Sequence, residues 1–240
     1  MAKIYVNVIS RHQGHWAMFS AFQRAASIAQ QAGHICYLAP RVGDSLVCRA
    51  RNASMADFLE TDCDYFFTLD YDIALPDEAF VKLIDSGKDY IGGLYRLKFR
   101  YRKDIDVVDT IATRLLPDKT VQLGTDQIQE VKYLSTGCIM HTRQFCEDMW
   151  HSYYEDRWYR ENQTKREIVA LYTPLIEPEL REYLSEDWAF TYRAQKMGVK
   201  AYVHANVLCD HWGLERYSFT DIFDDYGEEK GEVDDDEDSS

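Results

Sequence analysis

Short apolar runs and longer segments with helical spacing alternate between Lys3 and Asp70, and this alternation constrains the fold more than any other feature. The strand-like runs are KIYVNVIS, HICYLA and YFFTLD, each rich in β-branched or aromatic residues. They are apolar throughout, which is typical of parallel strands that helices cover on both faces. The order of elements therefore predicts an α/β fold that begins strand, helix, strand, helix, strand.

The two segments between these runs have the pattern of amphipathic helices. The first, GHWAMFSAFQRAASIAQQAG, ends at Gly33, where a helix C-cap is expected. Its predicted core face consists of aromatic and alanine side chains at helical spacing: Trp16, Phe19, Phe22, Ala26 and Ala29. The second, DSLVCRARNASMADFLETDCD, has Asp44 or Ser45 as its predicted N-cap.

The length and composition favour one soluble domain. The chain has 240 residues, of which 46% are hydrophobic and 14% aromatic, enough for one sizeable core. No apolar run approaches the roughly 20 residues that span a bilayer, and MAKIYVNVIS lacks the features of a signal peptide. The six cysteines form no CxxC pair, which predicts reduced thiols without a chemical role. We expect a cytoplasmic protein.

Most of the net charge of −14 lies in the C-terminal tail, 221–240. This tail contains 11 acids and one lysine, so it cannot bury enough apolar surface to fold and is predicted to be disordered. The rest of the chain, 1–220, has a net charge of only −4. The overall charge therefore neither requires nor excludes a nucleic-acid partner.

Two acids, Asp70 and Asp72, follow the third apolar run directly. Ligands of open α/β sheets bind beyond the carboxyl ends of the strands, which is where this D-x-D falls. Residues i and i+2 of an extended segment point the same way, and paired carboxylates suit Mg²⁺ or Mn²⁺. A surface turn rich in aspartate is the alternative interpretation, and the motif by itself leaves both open.

A second acidic pair, Glu186 and Asp187, stands at a predicted helix start with Ser185 as N-cap. A carboxylate at a helix N-terminus tends to stay ionised, which suits a general base. The alternative is that both acids only stabilise the helix dipole.

The segment IGGLYRLKFRYRK alternates apolar and basic residues after a pair of glycines. The alternation predicts a strand with one apolar and one basic face, and Gly92 and Gly93 would let the backbone approach a ligand closely. The basic face would hold donor phosphates, a charged acceptor or nucleic acid, or it would be a solvated edge.

Three longer segments occur in an informative order: ARNASMADFLETDCDYFFTLDYD, STGCIMHTRQFCEDM and SEDWAFTYRAQKMGVKAYVHANVLCDHWG. The first resembles an Arg-Asn helix that runs into a D-x-D strand, and the second a small-residue strand and helix on the acceptor side. The third resembles a Glu-Asp motif followed by a helix ending in glycine, a strand and a late histidine. Together they resemble the nucleotide-sugar glycosyltransferases of the GT-A fold, nearest to the family-two-like inverting enzymes.

This resemblance implies a single GT-A (Rossmann-like) domain over residues 1–220, with a mixed, mostly parallel central sheet flanked by helices. Residues 1–95 would form the nucleotide-sugar-binding half and residues 96–220 the acceptor and catalytic half. The implied donor is a nucleotide sugar, UDP-sugar by family habit, and the acceptor a hydroxyl of a glycan, protein or small molecule.

The resemblance also implies roles for individual residues. Asp72 would be the main ligand of Mn²⁺ or Mg²⁺, Asp70 would touch the donor ribose or the metal through water, and His211 would complete the metal or diphosphate site. Asp187 would be the general base, with Glu186 as an acceptor-binding neighbour. The implied donor-binding residues are Arg51, Asn52, Asp70, Tyr71, Asp72 and Gly137.

Several alternatives remain open at this point. A retaining glycosyltransferase of the same fold would use Asp187 to orient the acceptor, and a transferase acting on a modified nucleic-acid base would use the basic segment. A sugar nucleotidyltransferase is less favoured, since its Gly-rich loop after the first strand is replaced by SRHQGHWAMF with a single Gly14. A non-catalytic binding module is disfavoured by the intact acids. His211 has the alternative of a structural role, and His204 is predicted to be structural.

Overall fold

The predicted alternation between Lys3 and Asp70 is confirmed in the computed structural model, which describes residues 1–10, 15–99 and 111–221. Its first five elements are β1 (Lys3–Ser10), α1 (Trp16–Gln31), β2 (Ile35–Val42), α2 (Val47–Leu59) and β3 (Tyr65–Asp70). The predicted disorder of the acidic tail concerns residues outside the described ones, apart from Asp221.

Shorter strands and three further helices make up the rest. They are β4 (Ile73–Ala74), α3 (Ala79–Asp85), β5 (Tyr90–Tyr95), β6 (Arg114–Leu115), β7 (Ile128–Tyr133), β8 (Cys138–Thr142), α4 (Arg143–Arg157), β9 (Trp158–Arg160), β10 (Glu167–Val169), β11 (Leu175–Ile176), β12 (Tyr183–Leu184), α5 (Glu186–Lys196), β13 (Ala201–Trp212) and β14 (Arg216–Tyr217).

The central sheet has the strand order β2-β1-β3-β8-β5-β13-β7-β6. β1 is parallel to both β2 and β3, and β5 is parallel to β13. β8 is antiparallel to β3 and β5, between which it lies, and β7 is antiparallel to β13. Most long strands therefore run in one direction, and the predicted fold class is confirmed: a single α/β domain with a mixed, mostly parallel sheet flanked by helices.

Each face of the sheet packs against its own group of helices. Phe66 of β3 packs with residues of α2, α4 and α5, whereas the next residue, Phe67, packs with residues of α1 and α3. Each fully buried phenylalanine stabilises the fold by about 1.5–3 kcal/mol. Covering on both faces explains why the strand is apolar throughout.

The predicted core face of α1 is partly wrong. Phe22 and Ala29 are buried as expected, but Trp16 is 76% exposed and Phe19 is 37% exposed. The residues that face the sheet also include Met18, Ala21 and Ala25. The small side chains of Ala21, Ala25 and Ala29, spaced four residues apart, let the helix lie close to the sheet. The rings of Trp16 and Phe19 therefore lie at the side of the helix.

The predicted N-cap of α2 is also wrong. Leu46 occupies the cap position and makes no side-chain capping hydrogen bond. The Asp44 carboxylate accepts from Leu46 N–H at 2.9 Å and pairs with Arg49 at 2.7 Å. Asp44 therefore orders the turn before the helix instead of capping its first turn.

The predicted alternating strand after Gly93 is wrong over the described residues. β5 ends at Tyr95, the Arg96 side chain is buried, and Leu97 is 41% exposed, the reverse of the expected faces. A Cβ atom on Gly92 would lie 2.7 Å from the Cys138 carbonyl. The missing side chain therefore makes room for the neighbouring strand and not for a ligand. Arg100 and Arg102, on which the nucleic-acid alternative depends, lie outside the described residues.

Two further sequence predictions can be compared with the structure. All six cysteines are free, and four of them are buried. Within residues 1–10, 15–99 and 111–221, no helix has the length and apolar character needed to cross a membrane.

Candidate active site

The D-x-D lies at the carboxyl edge of the sheet, where two neighbouring segments hold its backbone. Asp70 ends β3, and its N–H donates to the Gly137 carbonyl at 3.1 Å. The Asp72 carbonyl accepts from Trp212 N–H at 2.8 Å, since β4 pairs with the end of β13. The two carboxylates nevertheless have different partners, so they do not face a single target in this structure.

The Asp70 side chain is held by a buried arginine. Arg51 lies on α2 with a side chain only 3% exposed, and its Nη2 donates to Asp70 Oδ1 at 2.8 Å. The other terminal nitrogen, Nη1, donates to the Glu186 carboxylate at the first position of α5. Burial alone would lower the pKa of Arg51, but the charges of Asp70, Glu186 and Asp187 raise it above its usual value. One guanidinium thus brings the D-x-D and the Glu-Asp pair together.

The Asp187 carboxylate is fixed by its own helix start. Its Oδ1 accepts from the Ser185 hydroxyl and from Trp188 N–H, the latter at 2.8 Å. Ser185 is at the predicted N-cap position, but its hydroxyl binds Asp187 and makes no capping hydrogen bond. Burial raises the pKa of Asp187, and the charge of Glu186 raises it further, against the effects of Ser185 and Arg51. A raised pKa brings a carboxylate closer to what a general base requires.

Asp72 has a separate set of partners. It is only 7% exposed, its Oδ2 accepts from Lys98 Nζ, and His211 Nε2 lies 3.8 Å from its Oδ1. His211 Nδ1 is 2.7 Å from the Arg96 carbonyl, which can only accept, so Nδ1 carries a hydrogen. Burial lowers the pKa of His211, and the charge of Lys98 acts in the same direction.

These side chains fit a divalent cation only in part. Among the residues that the structure describes, no group of three or more His, Cys, Asp or Glu side chains could hold a metal ion. Asp70 is paired with Arg51 and Asp72 Oδ2 with Lys98, which leaves Asp72 Oδ1 and His211 Nε2. A histidine whose second nitrogen donates to a carbonyl is typical of metal ligands, and Mg²⁺-type ions often take one or two carboxylates plus substrate phosphates. Asp72 and His211 are therefore two side chains that could contact such an ion, which is fewer than the three or more that would hold it.

Gly137 and Tyr95 pack against each other next to Asp70, and we call this pair the floor of the site. A Cβ atom on Gly137 would lie 2.8 Å from the Tyr95 ring and hydroxyl, and Gly137 N–H donates to that hydroxyl at 3.0 Å. Burial raises the pKa of Tyr95, and the charges of Asp70 and Asp187 raise it further. Gly137 thus touches the site through its backbone, which orients Asp70.

Asn52 and Tyr71 each bind the backbone of a distant segment. Asn52 is buried, and its Oδ1 accepts from Tyr172 N–H at 2.8 Å, so its amide fixes the backbone after β10. Tyr71 is 39% exposed between the two acids, and its carbonyl accepts from His15 N–H at 3.0 Å at the start of α1. His204 is buried and its ring accepts from Asn206 N–H, as expected for a structural residue.

Two residues of the site were missed from the sequence. Lys98 and Tyr95 were both assigned to the alternating segment, where they counted only as members of a basic and an apolar face. The signal for Tyr95 was weak, because its contact with Gly137 joins positions 42 residues apart. Lys98 lies in the bend at 98–99, three residues after β5 ends.

Comparison with known proteins gives matches in structure only. No protein-family model matches the chain, and no curated protein matches it. Among solved structures, GalNAc-T7 with UDP, GalNAc and Mn²⁺ is 12% identical at a TM-score of 0.49, over 86% of this chain and 42% of that chain. A putative glucose-1-phosphate thymidylyltransferase from Bacillus anthracis is 11% identical at a TM-score of 0.44, over 88% and 89%. TarS 1–349 from S. aureus is 10% identical at a TM-score of 0.42, over 84% and 58%.

At these identities, and with TM-scores below 0.5, the matches carry no argument about the family or the activity of this chain. The chain spans less than half the length of the GalNAc-T7 chain that it matches.

Proposed function

We propose that this chain is a glycosyltransferase that moves a sugar from a nucleotide-sugar donor to an acceptor hydroxyl, with inversion at the anomeric carbon. The observation that supports it is the buried Arg51 guanidinium, which gathers Asp70 and Glu186 beside Asp187 at the carboxyl edge of one sheet. An acid on the donor side and an acid at a helix start opposite it are the groups that a direct displacement needs.

We assign the donor side of the proposed site mainly to residues 1–95, with the Gly137 backbone added from residues 96–220, which otherwise supply the acceptor side. UDP-sugar is the proposed donor. The proposed donor contacts are Arg51, Asp70, Tyr71, Asp72 and the backbone of Gly137, with Asn52 supporting the wall behind Arg51. Since Arg51 is already bound to two carboxylates, its role in this proposal is to hold Asp70 in place for the donor.

Mn²⁺ or Mg²⁺ is part of the proposal, with Asp72 and His211 as the residues that would hold it. When bound, such an ion offsets the negative charge that develops on a departing nucleoside diphosphate.

Asp187 is proposed to take the proton of the acceptor hydroxyl. As the new carbon–oxygen bond forms, the proton passes to the free carboxylate oxygen and the bond to the donor phosphate breaks. Oδ1 is already held by Ser185 and Trp188, which leaves Oδ2 for the acceptor. Glu186, fixed by Arg51, is proposed to bind the acceptor beside it.

The first test is a donor screen that scores Mn²⁺-dependent nucleotide release, followed by transfer assays with the best donor. Asp72→Ala is expected to abolish metal-dependent turnover. Asp187→Asn is expected to lower transfer about 10²–10⁴-fold, the usual contribution of a general base, while donor binding stays unchanged. Asp148→Asn, on the exposed side of α4, is the matched control and is expected to behave as the wild type.

Product stereochemistry is the second test, because the retaining alternative assigns a different role to Asp187. An inverted product measured by NMR supports the base assignment. A retained configuration, or transfer by Asp187→Asn at the wild-type rate, would remove Asp187 from that role.

A further inference from the structure

The hydroxyl of Thr191 joins three parts of the chain beside the proposed base. Thr191 lies on α5, one turn after Asp187, and is completely buried. Its Oγ1 is 2.7 Å from the Tyr90 hydroxyl on β5, accepts from Leu134 N–H at 3.2 Å and lies 3.3 Å from the Asp187 carbonyl. A hydroxyl has one hydrogen and two lone pairs. All three contacts are therefore satisfied when this hydroxyl accepts from the first two partners and donates to the Asp187 carbonyl.

Tyr90 supplies the hydrogen of its own contact. Its side chain is completely buried. Burial raises the pKa of the Tyr90 hydroxyl, and the charge of Asp187 raises it further, whereas the hydrogen bond with Thr191 acts in the opposite direction. The hydroxyl therefore keeps its hydrogen and donates it to Thr191 Oγ1. Removing the Thr191 hydroxyl would take the acceptor from two buried donors, this O–H and the N–H of Leu134.

The segment 134–137 leads from the Thr191 hydroxyl to the D-x-D. At its start the N–H of Leu134 is bound by Thr191 Oγ1. At its end the Gly137 carbonyl accepts from Asp70 N–H at 3.1 Å. A buried hydroxyl of β3 donates to a carbonyl between these two points at 2.7 Å. The first turn of α5 and the donor-side acid are therefore connected through four consecutive residues whose backbone is held at both ends.

We propose that Thr191 is a positioning residue, whose hydroxyl fixes the general base Asp187 relative to Asp70 on the donor side. This inference rests on the proposed function. The hydroxyl binds the backbone of Asp187 and the start of the segment 134–137 at the same time, so it sets the distance between them. A base that is held at one distance from the donor needs no reorientation before it takes the acceptor proton. Without the hydroxyl, the first turn of α5 is expected to loosen, and the Asp187 carboxylate with it.

Amide hydrogen exchange measured by NMR tests this role without any sugar donor. The Trp188 N–H lies in the first turn of α5, where a helix offers no backbone partner, and donates to Asp187 Oδ1 at 2.8 Å. Its exchange rate therefore reports how firmly that carboxylate is held. Thr191→Val keeps the shape of the side chain but removes the hydroxyl. In this variant the Trp188 amide is expected to exchange about tenfold faster than in the wild type, relative to the amide of Val6 at the buried centre of β1.

Three further variants complete the exchange experiment. Thr191→Ser keeps the hydroxyl and is expected to exchange as the wild type. Tyr90→Phe removes only one partner of that hydroxyl and is expected to give an intermediate rate. Thr142→Val is the matched control, because Thr142 is the N-cap of α4 at the opposite end of β8 from Gly137. It removes a threonine hydroxyl from another helix start, so the ratio of the Trp188 rate to the Val6 rate is expected to stay unchanged.

Transfer assays with the best donor of the screen add a measurement that a purely structural residue would not change. At saturating donor, Thr191→Val is expected to lower kcat about tenfold while the KM for the donor stays unchanged. Burial raises the pKa of Asp187, and the hydrogen bonds from Ser185 and Trp188 oppose this effect. Loosening these bonds raises the pKa further, so the acid limb of the rate–pH profile is expected to move to higher pH.

Three outcomes overturn the role of Thr191: a wild-type ratio of Trp188 to Val6 exchange in Thr191→Val, an equal acceleration in Thr142→Val, or a wild-type kcat and rate–pH profile in Thr191→Val. Sugar transfer by the wild type together with one of these outcomes would refute the role and leave the proposed function standing. Faster Trp188 exchange that Thr191→Ser restores, with no transfer by the wild type from any donor, would refute the transferase. It would still show that Thr191 holds the Asp187 carboxylate in place.

Discussion

Replacing Arg51 by methionine tests whether the acids are assembled by a single buried cation. Methionine keeps an unbranched stem of similar volume but leaves Asp70 and Glu186 without their common partner. It also leaves Asp187 closer to uncompensated negative charge. The expected result is a folded but clearly destabilised protein with a loosened site.

The size of the expected loss of stability depends on how exposed the two unpaired carboxylates are to water. Removing one partner of a buried ion pair costs about 3–5 kcal/mol. Since the side chains of Asp70 and Glu186 are 31% and 22% exposed, the lower end applies, about 3 kcal/mol. For a domain of this size that loss lowers Tm by roughly 6–12 °C.

Urea unfolding followed by circular dichroism measures this loss. Arg49→Met is the matched control, because Arg49 lies two residues earlier on the same helix and its side chain, paired with Asp44, is 49% exposed, and we expect little change. Adding Glu186→Gln to Arg51→Met should restore about 1 kcal/mol, since one of the unpaired charges is removed. The reasoning is refuted if Arg51→Met is no more harmful than Arg49→Met, or if Glu186→Gln restores nothing.

Two further predictions concern the floor and the base. Burial raises the folded pKa of Asp187, so its stabilising contribution is complete below the unfolded pKa and is lost as the pH rises through the folded one. Asp187→Asn should therefore raise the urea midpoint at pH 7 and leave it unchanged near pH 3; equal midpoints at pH 7 would contradict this. Gly137→Ala places a methyl group 2.8 Å from the Tyr95 ring, and we expect a loss of about 1–3 kcal/mol with weaker donor binding. An unchanged free energy of unfolding in the same urea assay would contradict this, because it would show that Tyr95 moves aside without cost.

The elements from β1 to β3 could be predicted because their signals are local. The runs of β1, β2 and β3 are apolar over consecutive residues, and D-x-D follows the last of them directly. The face of α1 could not be predicted from hydrophobicity alone. Close approach to the sheet favoured the row of alanines, and Trp16 was turned outward.

The remaining features depend on contacts between distant parts of the chain. The insertion of β8 between β3 and β5 is a choice of strand order that no local pattern encodes. The acids were expected at one edge, but their connection through Arg51 joins positions 135 residues apart. Lys98 was misread for a related reason, since the strand ends at Tyr95 and Lys98, in the bend that follows at 98–99, binds Asp72, 26 residues earlier in the chain.

The separation in sequence between Arg51 and Glu186 also determines when the site can form during synthesis. A nascent chain that has reached Asp70 already contains the arginine and its first carboxylate, but Glu186 has yet to be translated. Until α5 emerges from the ribosome, the guanidinium lacks its second anion. The cluster of Arg51, Asp70 and Glu186 can therefore form only after the chain has been made as far as α5, and under the proposed function a shorter product would lack the site that binds the donor.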